Sequence, residues 1–216
     1  MSKRRVVITG LGIVSPVGNT IDEAWRTIIA GQSGITRITR FDTATFSSQV
    51  AGEVKNFDIT VYLNPKDARR MDLFMHYGMA AGMQAIRDAG LDTPQPDGER
   101  IGLNIGSGIG GLNMIESTHI EYVASGVRKI SPFFIPSTII NMISGHLSIL
   151  YGFKGPNLAM VTACTTGTHA IGESARLIEY GDADVMIAGG AESAITPLSV
   201  GGFGNMKALT GRNDDP

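Results

Sequence analysis

The only cysteine of this 216-residue chain, Cys164, lies where an apolar run meets a helical pattern. Residues 158–163 predict a short buried strand, and 165–180 repeat apolar residues at helical spacing before Gly181. We therefore expect Cys164 in the first turn of a helix, where unpaired backbone N–H groups and the helix dipole favour an anion. A thiol in that position forms the thiolate readily and can act as a nucleophile.

Most lone cysteines are small buried hydrophobes, so the neighbours of Cys164 must decide between packing and chemistry. The residues around it, Ala163, Thr165, Thr166 and Gly167, are small enough to leave the sulfur accessible. Gly167 also allows another backbone or a ligand to come close. A strand, a tight turn and a helix present the nucleophile in other acyl-transfer enzymes, so we favour the catalytic interpretation.

The composition excludes several classes of protein. With 18 basic and 20 acidic residues, no global charge favours nucleic acid, and 43% hydrophobic residues suffice for a sizeable core. A single cysteine excludes an internal disulfide and fits a reducing compartment. The basic start at Lys3, Arg4 and Arg5 is followed by an apolar run too short for a signal peptide, and no segment is long enough to span a membrane. We expect a cytoplasmic globular protein.

Hydrophobic periodicity predicts alternating strands and helices along the chain. A helix capped by Thr20 and Glu23 ends at Gly31, and a longer helix buries one face from Met71 to Ile86. The predicted strands are 5–8, 49–55, 101–105, 158–163 and 184–188; a further helix begins at Ser137, and 201–204 form a glycine loop around Phe203.

A small basic cluster, Lys66, Arg69 and Arg70, follows Asn64 and Pro65. Spacings of three and four would bring these side chains to one side of a helix. A solvated helix end is the more common explanation of such a cluster. An acidic protein partner is the functional alternative.

The loop 106–111 formally matches the Gly-x-Gly-x-x-Gly fingerprint of dinucleotide-binding proteins after a strand. That fold requires an acidic residue after a second strand about 20 residues further on, for the ribose. The chain there contains Arg128 and Lys129 and no acid. We therefore expect the glycines to let this loop pass close to a ligand or another backbone, with Ile109 projecting from it.

Five separated motifs, 7–12, 106–111, 162–167, 189–192 and 201–204, together resemble the β-ketoacyl-acyl carrier protein synthases. Among them the likeness is greatest to the type II elongating enzymes of bacterial fatty-acid synthesis. The motifs occur in family order from end to end of the chain, but they cover only about half of a family enzyme.

The resemblance implies an α/β thiolase-like layered fold, with helices packed on mixed five-stranded sheets. Residues 1–216 would form the first of two similar halves, and the family's catalytic histidines, second oxyanion donor and gating phenylalanine would lie in the second half. We therefore expect the chain alone to be inactive and to expose a large apolar face.

The implied reaction is a decarboxylative Claisen condensation, with Cys164 as the acyl-accepting nucleophile and its backbone N–H as one oxyanion donor. Ile109 and Phe203 would lie near the acyl pocket, and Phe134 would reach toward the pocket of a partner subunit in a homodimer. Acyl carrier protein would bind the basic face formed by Lys66, Arg69, Arg70 and Lys207. The resemblance implies no cofactor and no metal.

The four histidines have no role in this expected mechanism. His169, five residues after Cys164, would point about 140° around the helix from it, and we expect it at the surface or in an interface. We interpret His76, His119 and His146 as structural.

Two alternative functions remain open: a non-catalytic chain-length partner of polyketide assembly, in which the cysteine is replaced, and a dinucleotide-dependent oxidoreductase based on 106–111. Initiating synthases and thiolases also keep a cysteine.

Overall fold

The computed structural model describes residues 4–94 and 97–215. Its α-helices are α1 (Ile21–Ile29), α2 (Pro65–Ala68), α3 (Leu73–Asp88), α4 (Leu112–Ser125), α5 (Phe134–Thr138), α6 (Met142–Tyr151), α7 (Thr166–Tyr180) and α8 (Pro197–Asn205). The strands are β1 (Thr36–Arg37), β2 (Val50–Ala51), β3 (Ile101–Gly106), β4 (Asn157–Leu158) and β5 (Val185–Gly190). Short 3₁₀ turns cover Ile59–Val61, Gly98–Arg100, Val127–Lys129 and Ala163–Thr165.

The central sheet has the order β4–β3–β5, and all its neighbouring strands are parallel. Strand β3 is completely buried and pairs with β5 along its whole length, from Ile101 opposite Val185 to Gly106 opposite Gly190. Buried parallel strands require helices on both faces. The layered α/β architecture expected from the sequence is therefore confirmed.

Alternate residues of β3 contact different helical layers, as strand geometry requires. Ile101, Leu103 and Ile105 belong to one hydrophobic core with residues of α3 and α6. On the other face, Asn104 donates a hydrogen bond to the Ala170 carbonyl of α7 at 3.3 Å. Thus α7, which follows Cys164, packs on one side of β3, and α3 with α6 packs on the other.

The predicted buried face of α3 is confirmed. Four of its core side chains, Phe74, Met75, Met79 and Ile86, are at most 1% exposed. A Cβ atom at Gly78 would lie 2.4 Å from Ile143 Cδ1, and one at Gly82 would lie 2.6 Å from Leu147 Cδ1. These two glycines therefore allow α6 to approach α3 closely.

The capping prediction for α1 is also confirmed. The Thr20 hydroxyl accepts the Glu23 N–H at 3.3 Å, and the Glu23 carboxylate accepts the Asn19 N–H at 2.9 Å. The first of these bonds satisfies a helix-start donor, and the second fixes the entering chain.

Three predicted strands are shorter or absent. Residues 5–8 form no strand; the following segment instead binds α3, where the Leu11 N–H donates to Asp88 and the Ile13 N–H donates to Gln84. Only Val50–Ala51 of 49–55 pairs, with β1 and apart from the main sheet. Only Asn157–Leu158 pairs at the start of the run around 158–163, and both residues are exposed rather than buried. The expected five-stranded mixed sheet is therefore, in the described residues, three parallel strands with a separate antiparallel pair.

Two helix predictions are wrong in detail. The helix expected from Ser137 is divided into α5 and α6, because the glycine loop packs against the end of α5, where the Gly111 N–H donates to the Thr138 carbonyl at 3.1 Å. Residues 201–204 are not a loop but part of α8. Thr196 caps that helix and Pro197 occupies its first turn, which are strong start signals.

Within the described residues, no helix combines the length and apolar character that crossing a membrane requires.

Candidate active site

Cys164 lies in the tight turn that leads into α7. The turn is the 3₁₀ segment Ala163–Thr165, so the cysteine precedes the helix by two residues instead of lying in its first turn as predicted. Ala163 has φ +52°, a left-handed conformation that costs a non-glycine residue about 1–2 kcal/mol. The Cys164 side chain is exposed. A strained turn that presents an exposed thiol at a helix start is the arrangement expected of a nucleophile.

The Thr166 hydroxyl clamps this turn from inside the protein. It accepts the Thr162 N–H at 3.0 Å and donates to the Ala163 carbonyl at 2.8 Å, and Thr166 is only 4% exposed. The same side chain therefore binds the backbone before and at the strained residue. The role of Thr166 was not apparent from the sequence, where it counted only as a small neighbour of the cysteine.

The backbone packs closely around the turn Ala163–Thr165, as the glycine motifs predicted. A Cβ atom at Gly190 would lie 3.0 Å from the Gly167 backbone nitrogen, so β5 and α7 meet at these two residues. A Cβ atom at Gly106 would lie 2.0 Å from the Met160 carbonyl oxygen. A Cβ atom at Gly108 would lie 3.1 Å from the Ala163 carbonyl oxygen. The glycine loop therefore passes directly beside the residue that precedes Cys164.

Cys164 opens into a cleft of about 540 Å³. Ile109 projects from the glycine loop into its wall and is 45% exposed, and Phe203 of α8 lines it and is 38% exposed. The other lining residues are Ser107, Gly108, Ala163, Thr166, Gly167, Thr168, Gly190, Ala191, Glu192 and Ala194. The structure thus places Ile109 and Phe203 in the same partly apolar cleft as Cys164.

The carboxylate of Glu192 binds the glycine loop. It accepts the Ile109 N–H at 2.8 Å, the Gly110 N–H at 3.3 Å and the Ser107 hydroxyl at 3.1 Å. In a dinucleotide site, backbone N–H groups of such a loop bind the pyrophosphate. Here the protein's own carboxylate already occupies them, which argues against the oxidoreductase alternative. The sequence showed Glu192 only as part of a motif, because its partners lie more than 80 residues earlier in the chain.

Phe134 lies away from this cleft. It is half-buried in α5, which packs against α4. The described residues give it no part in the wall around Cys164. Its predicted position near the pocket of a partner subunit stays a prediction.

The predicted basic residues lie in and directly after α2. Lys66, Arg69 and Arg70 are all exposed, and in the described part of the chain none forms an ion pair. The Arg70 guanidinium stacks on the Phe133 ring at 4.3 Å, an attractive cation–π contact. Lys207 is exposed as well, but it follows α8 and has φ +57°. No contact described by the structure joins it to the other three.

The sequence did not predict two further cations near this surface, Arg128 and Lys129. They lie exposed in the 3₁₀ turn Val127–Lys129. The chain from Lys129 to Phe133 can span at most about 14 Å, and Phe133 contacts Arg70. These two cations therefore lie near the basic cluster. The contact between Arg70 and Phe133 is not deducible from sequence spacing, so these cations had no visible link to the cluster.

Asp72 connects this basic segment to the helix that follows the glycine loop. Its carboxylate caps α3 through the Phe74 N–H at 3.1 Å and accepts the Met114 N–H in the first turn of α4 at 2.6 Å. Burial raises the pKa of Asp72 above its ordinary value, although these backbone bonds oppose the rise. One buried carboxylate therefore fixes the starts of two helices to each other.

The structure describes all four histidines. His169 is exposed, and its Nδ1 lies 2.8 Å from the Thr162 hydroxyl. His76 Nε2 lies 2.8 Å from the Ala68 carbonyl oxygen. Burial lowers the pKa of His146, and His119 is exposed. Among residues 4–94 and 97–215, no three histidine, cysteine, aspartate or glutamate side chains are grouped closely enough to hold a metal ion.

Comparisons with known proteins identify the family of the chain. The family model described as "Beta-ketoacyl synthase, N-terminal domain" matches residues 3–216. The 3-oxoacyl-[acyl-carrier-protein] synthase 2 of Vibrio cholerae is 59% identical over all 216 residues, which correspond to 52% of that protein. The chain thus spans about half the length of the curated relatives it matches.

Solved structures show the same fold. The crystal structure of a beta-ketoacyl synthase from Burkholderia phymatum matches the whole chain with a TM-score of 0.87 and 27% identity, over 53% of its own length. A ketosynthase complex is also similar, with a TM-score of 0.78 and 28% identity over 97% of this chain and 56% of the other. It is described as a type II polyketide synthase acyl carrier protein in complex with its ketosynthase bound to the hexaketide. From the family model, the relatives and the fold together, the chain belongs to the β-ketoacyl synthase family and matches its N-terminal domain.

Proposed function

We propose that the protein is an elongating β-ketoacyl-acyl carrier protein synthase of fatty-acid synthesis, and that this chain is the first of its two halves. The observation that carries the proposal is the exposed Cys164 on a strained turn, facing a cleft that Ile109 and Phe203 also line. The 59% identical relative from Vibrio cholerae is named for that activity. The reaction adds two carbons to an acyl chain.

In the first step, the Cys164 thiolate attacks the thioester carbonyl of an acyl chain carried on acyl carrier protein. A Cys164–acyl thioester forms, the old carbon–sulfur bond breaks, and the carrier's thiol leaves with a proton. The Cys164 N–H makes no hydrogen bond in the described part of the chain, so it is available to the oxyanion of the tetrahedral intermediate. The Thr166 clamp holds the turn in this orientation.

In the second step, malonyl carrier protein loses carbon dioxide and its enolate carbon attacks the acyl carbonyl on Cys164. A carbon–carbon bond forms, the thiolate of Cys164 leaves, and the product is a β-ketoacyl chain on the carrier. We assign enolate stabilisation to residues outside this chain.

We further propose that the carrier binds the face formed by Lys66, Arg69, Arg70, Arg128 and Lys129. Five exposed cations suit an acidic partner, and a similar ketosynthase is described in complex with an acyl carrier protein. Lys207 has less support as a member of this face, since no described contact joins it to the other cations.

We also propose a homodimer in the cytoplasm. The apolar edge at Leu158 and Val161, which are 41% and 56% exposed, supports a protein partner for β4.

A polyketide chain-length partner is the second candidate, because one structural neighbour is a polyketide ketosynthase. Non-catalytic partners of that kind replace the nucleophilic cysteine. This chain retains Cys164 in an accessible turn, so we favour the condensing enzyme.

Intact-mass spectrometry of the full-length protein after incubation with acyl carrier protein tests the proposal. We expect a mass increase of one acyl group, located on the peptide that contains Cys164, and no increase in the Cys164→Ala variant. Absence of acylation in the full-length wild type, or acylation of the variant, would overturn the proposal.

A further inference from the structure

The glycine loop that carries Ile109 contains three glycines in four positions, Gly108, Gly110 and Gly111. Glycine has the greatest backbone freedom, so such a loop has little intrinsic preference for one conformation. Gly110 has φ +88°, which suits glycine and few other residues. The position of Ile109 in the acyl cleft therefore depends on contacts made by the loop and not on its local sequence.

Three polar contacts of this loop converge on Glu192. The carboxylate binds the backbone N–H of Ile109 itself, at 2.8 Å, and that of Gly110, at 3.3 Å. Ser107, which is 1% exposed, donates its hydroxyl to the same carboxylate at 3.1 Å and accepts the Gly110 N–H at 3.1 Å. Because an ionised acceptor forms stronger bonds than a neutral one, Glu192 is a strong restraint on the position of Ile109.

Glu192 is itself attached to a rigid element. It follows the end of β5 by two residues, and the intervening Ala191 N–H donates to the Gly106 carbonyl at 3.0 Å. Strand β5 in turn meets α7 where Gly190 packs on Gly167. The carboxylate thus fixes Ile109 relative to the same strand and helix that fix Cys164.

We propose that Glu192 is a positioning residue that holds Ile109 against the acyl cleft and thereby sets the preference of the enzyme for acyl chain length. This inference rests on the proposed function. When the Glu192 carboxylate binds the loop, Ile109 has a fixed position in the wall of the cleft beside Cys164. The fixed side chain then limits the length of the acyl chain that the cleft can hold. Without the carboxylate, the glycine-rich loop moves and the discrimination between chain lengths decreases.

The test uses the full-length protein and measures initial rates of Cys164 acylation from hexanoyl and hexadecanoyl carrier protein. Loss of a charge-assisted hydrogen bond corresponds to a factor of about ten, so we expect Glu192→Ala to change the ratio of the two rates about tenfold. Glu192→Gln, which keeps one oxygen acceptor, should change the ratio less. Ser107→Ala removes the two hydrogen bonds of the Ser107 hydroxyl but keeps the bond from the Ile109 N–H to Glu192, so it should also have the smaller effect.

A second measurement reports on the loop directly. Hydrogen exchange at the Ile109 and Gly110 amides should be faster in Glu192→Ala than in wild type, because the Ile109 amide loses its acceptor and the Gly110 amide loses one of its two acceptors. Glu121→Ala, which removes a carboxylate from the exposed surface of α4, is the matched control and should leave both the rate ratio and the exchange unchanged.

The outcomes separate this inference from the proposed function. A wild-type protein that is not acylated would contradict the function, while exchange at Ile109 would still test the contact with Glu192. A wild type that is acylated, with the same rate ratio in folded Glu192→Gln, Ser107→Ala and Glu192→Ala, would overturn the inference. A general loss of rate with an unchanged ratio would mean that Glu192 has a structural role only.

Discussion

At the scale of single residues, the turn that presents Cys164 depends on the side chain of Thr166. Ala163 occupies a left-handed conformation, and the surrounding bonds must offset the cost of about 1–2 kcal/mol. Thr166 contributes two of these bonds, one to the Thr162 N–H and one to the Ala163 carbonyl. The same hydroxyl therefore stabilises the turn that presents Cys164.

Replacing Thr166 with valine keeps the shape of the side chain and removes both hydrogen bonds. The Thr162 N–H loses its acceptor in a largely buried place, so we expect the free energy of unfolding to fall by about 1–3 kcal/mol. A misplaced thiol should also slow acylation of Cys164 about tenfold. Denaturant unfolding and intact-mass kinetics measure the two effects.

Thr27→Val is the matched control for this substitution. Thr27 lies in α1, and its exposed hydroxyl donates to the Glu23 carbonyl at 3.0 Å, so we expect the control to keep the wild-type acylation rate. Wild-type kinetics in Thr166→Val would show that the turn holds Cys164 without the clamp.

At the scale of secondary structure, the proposed carrier-binding face combines two separate segments. One is α2 with the following Arg69 and Arg70, and the other is the turn Val127–Lys129 before Phe133. The stacking of Arg70 on Phe133 joins them. Arg69 has no such packing role, so a change there tests charge alone.

Reversing that charge with Arg69→Glu should lower kcat/KM for acyl carrier protein about tenfold at low salt, because an acidic partner then meets a like charge. The effect should decrease as salt is added, since exposed charges are screened. With an acyl pantetheine thioester, which lacks the acidic protein, the rate should not change. Arg26→Glu in α1 is the control. Unchanged kinetics with the carrier at low salt would refute the assignment of this face.

The sequence predicted those elements whose signals are local. The buried face of α3, the capping of α1 by Thr20 and the end of α7 at Gly181 are confirmed, because periodicity and capping act within a few residues. The loop prediction for 201–204 is wrong because the glycine count outweighed the start signals at Thr196 and Pro197.

Features that depend on distant contacts could not be predicted in this way. The strand expected over 158–163 stops at Leu158, whose carbonyl accepts the Ser144 hydroxyl at 2.8 Å. Motif and resemblance identified Cys164, Ile109 and Phe203 as candidate site residues. The structure places all three around one cleft. Glu192 binds residues more than 80 positions away, and no spacing rule relates a residue to partners at that distance.

At the scale of the whole molecule, large apolar side chains remain exposed in several places. Trp25 and Ile29 of α1 are 62% and 65% exposed, and Val7 and Ile8 of the irregular N-terminal segment are 62% and 78% exposed. Exposed apolar patches of this kind are typical of interfaces. We therefore expect stable folding to require further protein surface, from the rest of a longer chain, from a second subunit, or from both.

Asp184 ties three distant parts of this molecule together and should make its stability depend on pH. Its carboxylate contacts Arg100 at 3.1 Å and Arg4 at 2.5 Å, and these bonds lower the pKa of Asp184 to about 2 from 3.8. A carboxyl group whose pKa is lower in the folded than in the unfolded protein stabilises the fold at pH values above the unfolded-state pKa. This stabilisation is lost as the pH falls through the folded-state pKa.

Relative to Asp184→Asn, the wild type should thus lose stability between pH of about 4 and about 2. Denaturant unfolding of the full-length protein across this range measures the difference. Asp214→Asn removes a carboxylate that is 96% exposed and that pairs, among the described residues, with Arg37 alone, so solvent screening should make its effect smaller. A difference between wild type and Asp184→Asn that stays constant across the window would contradict the role of Asp184.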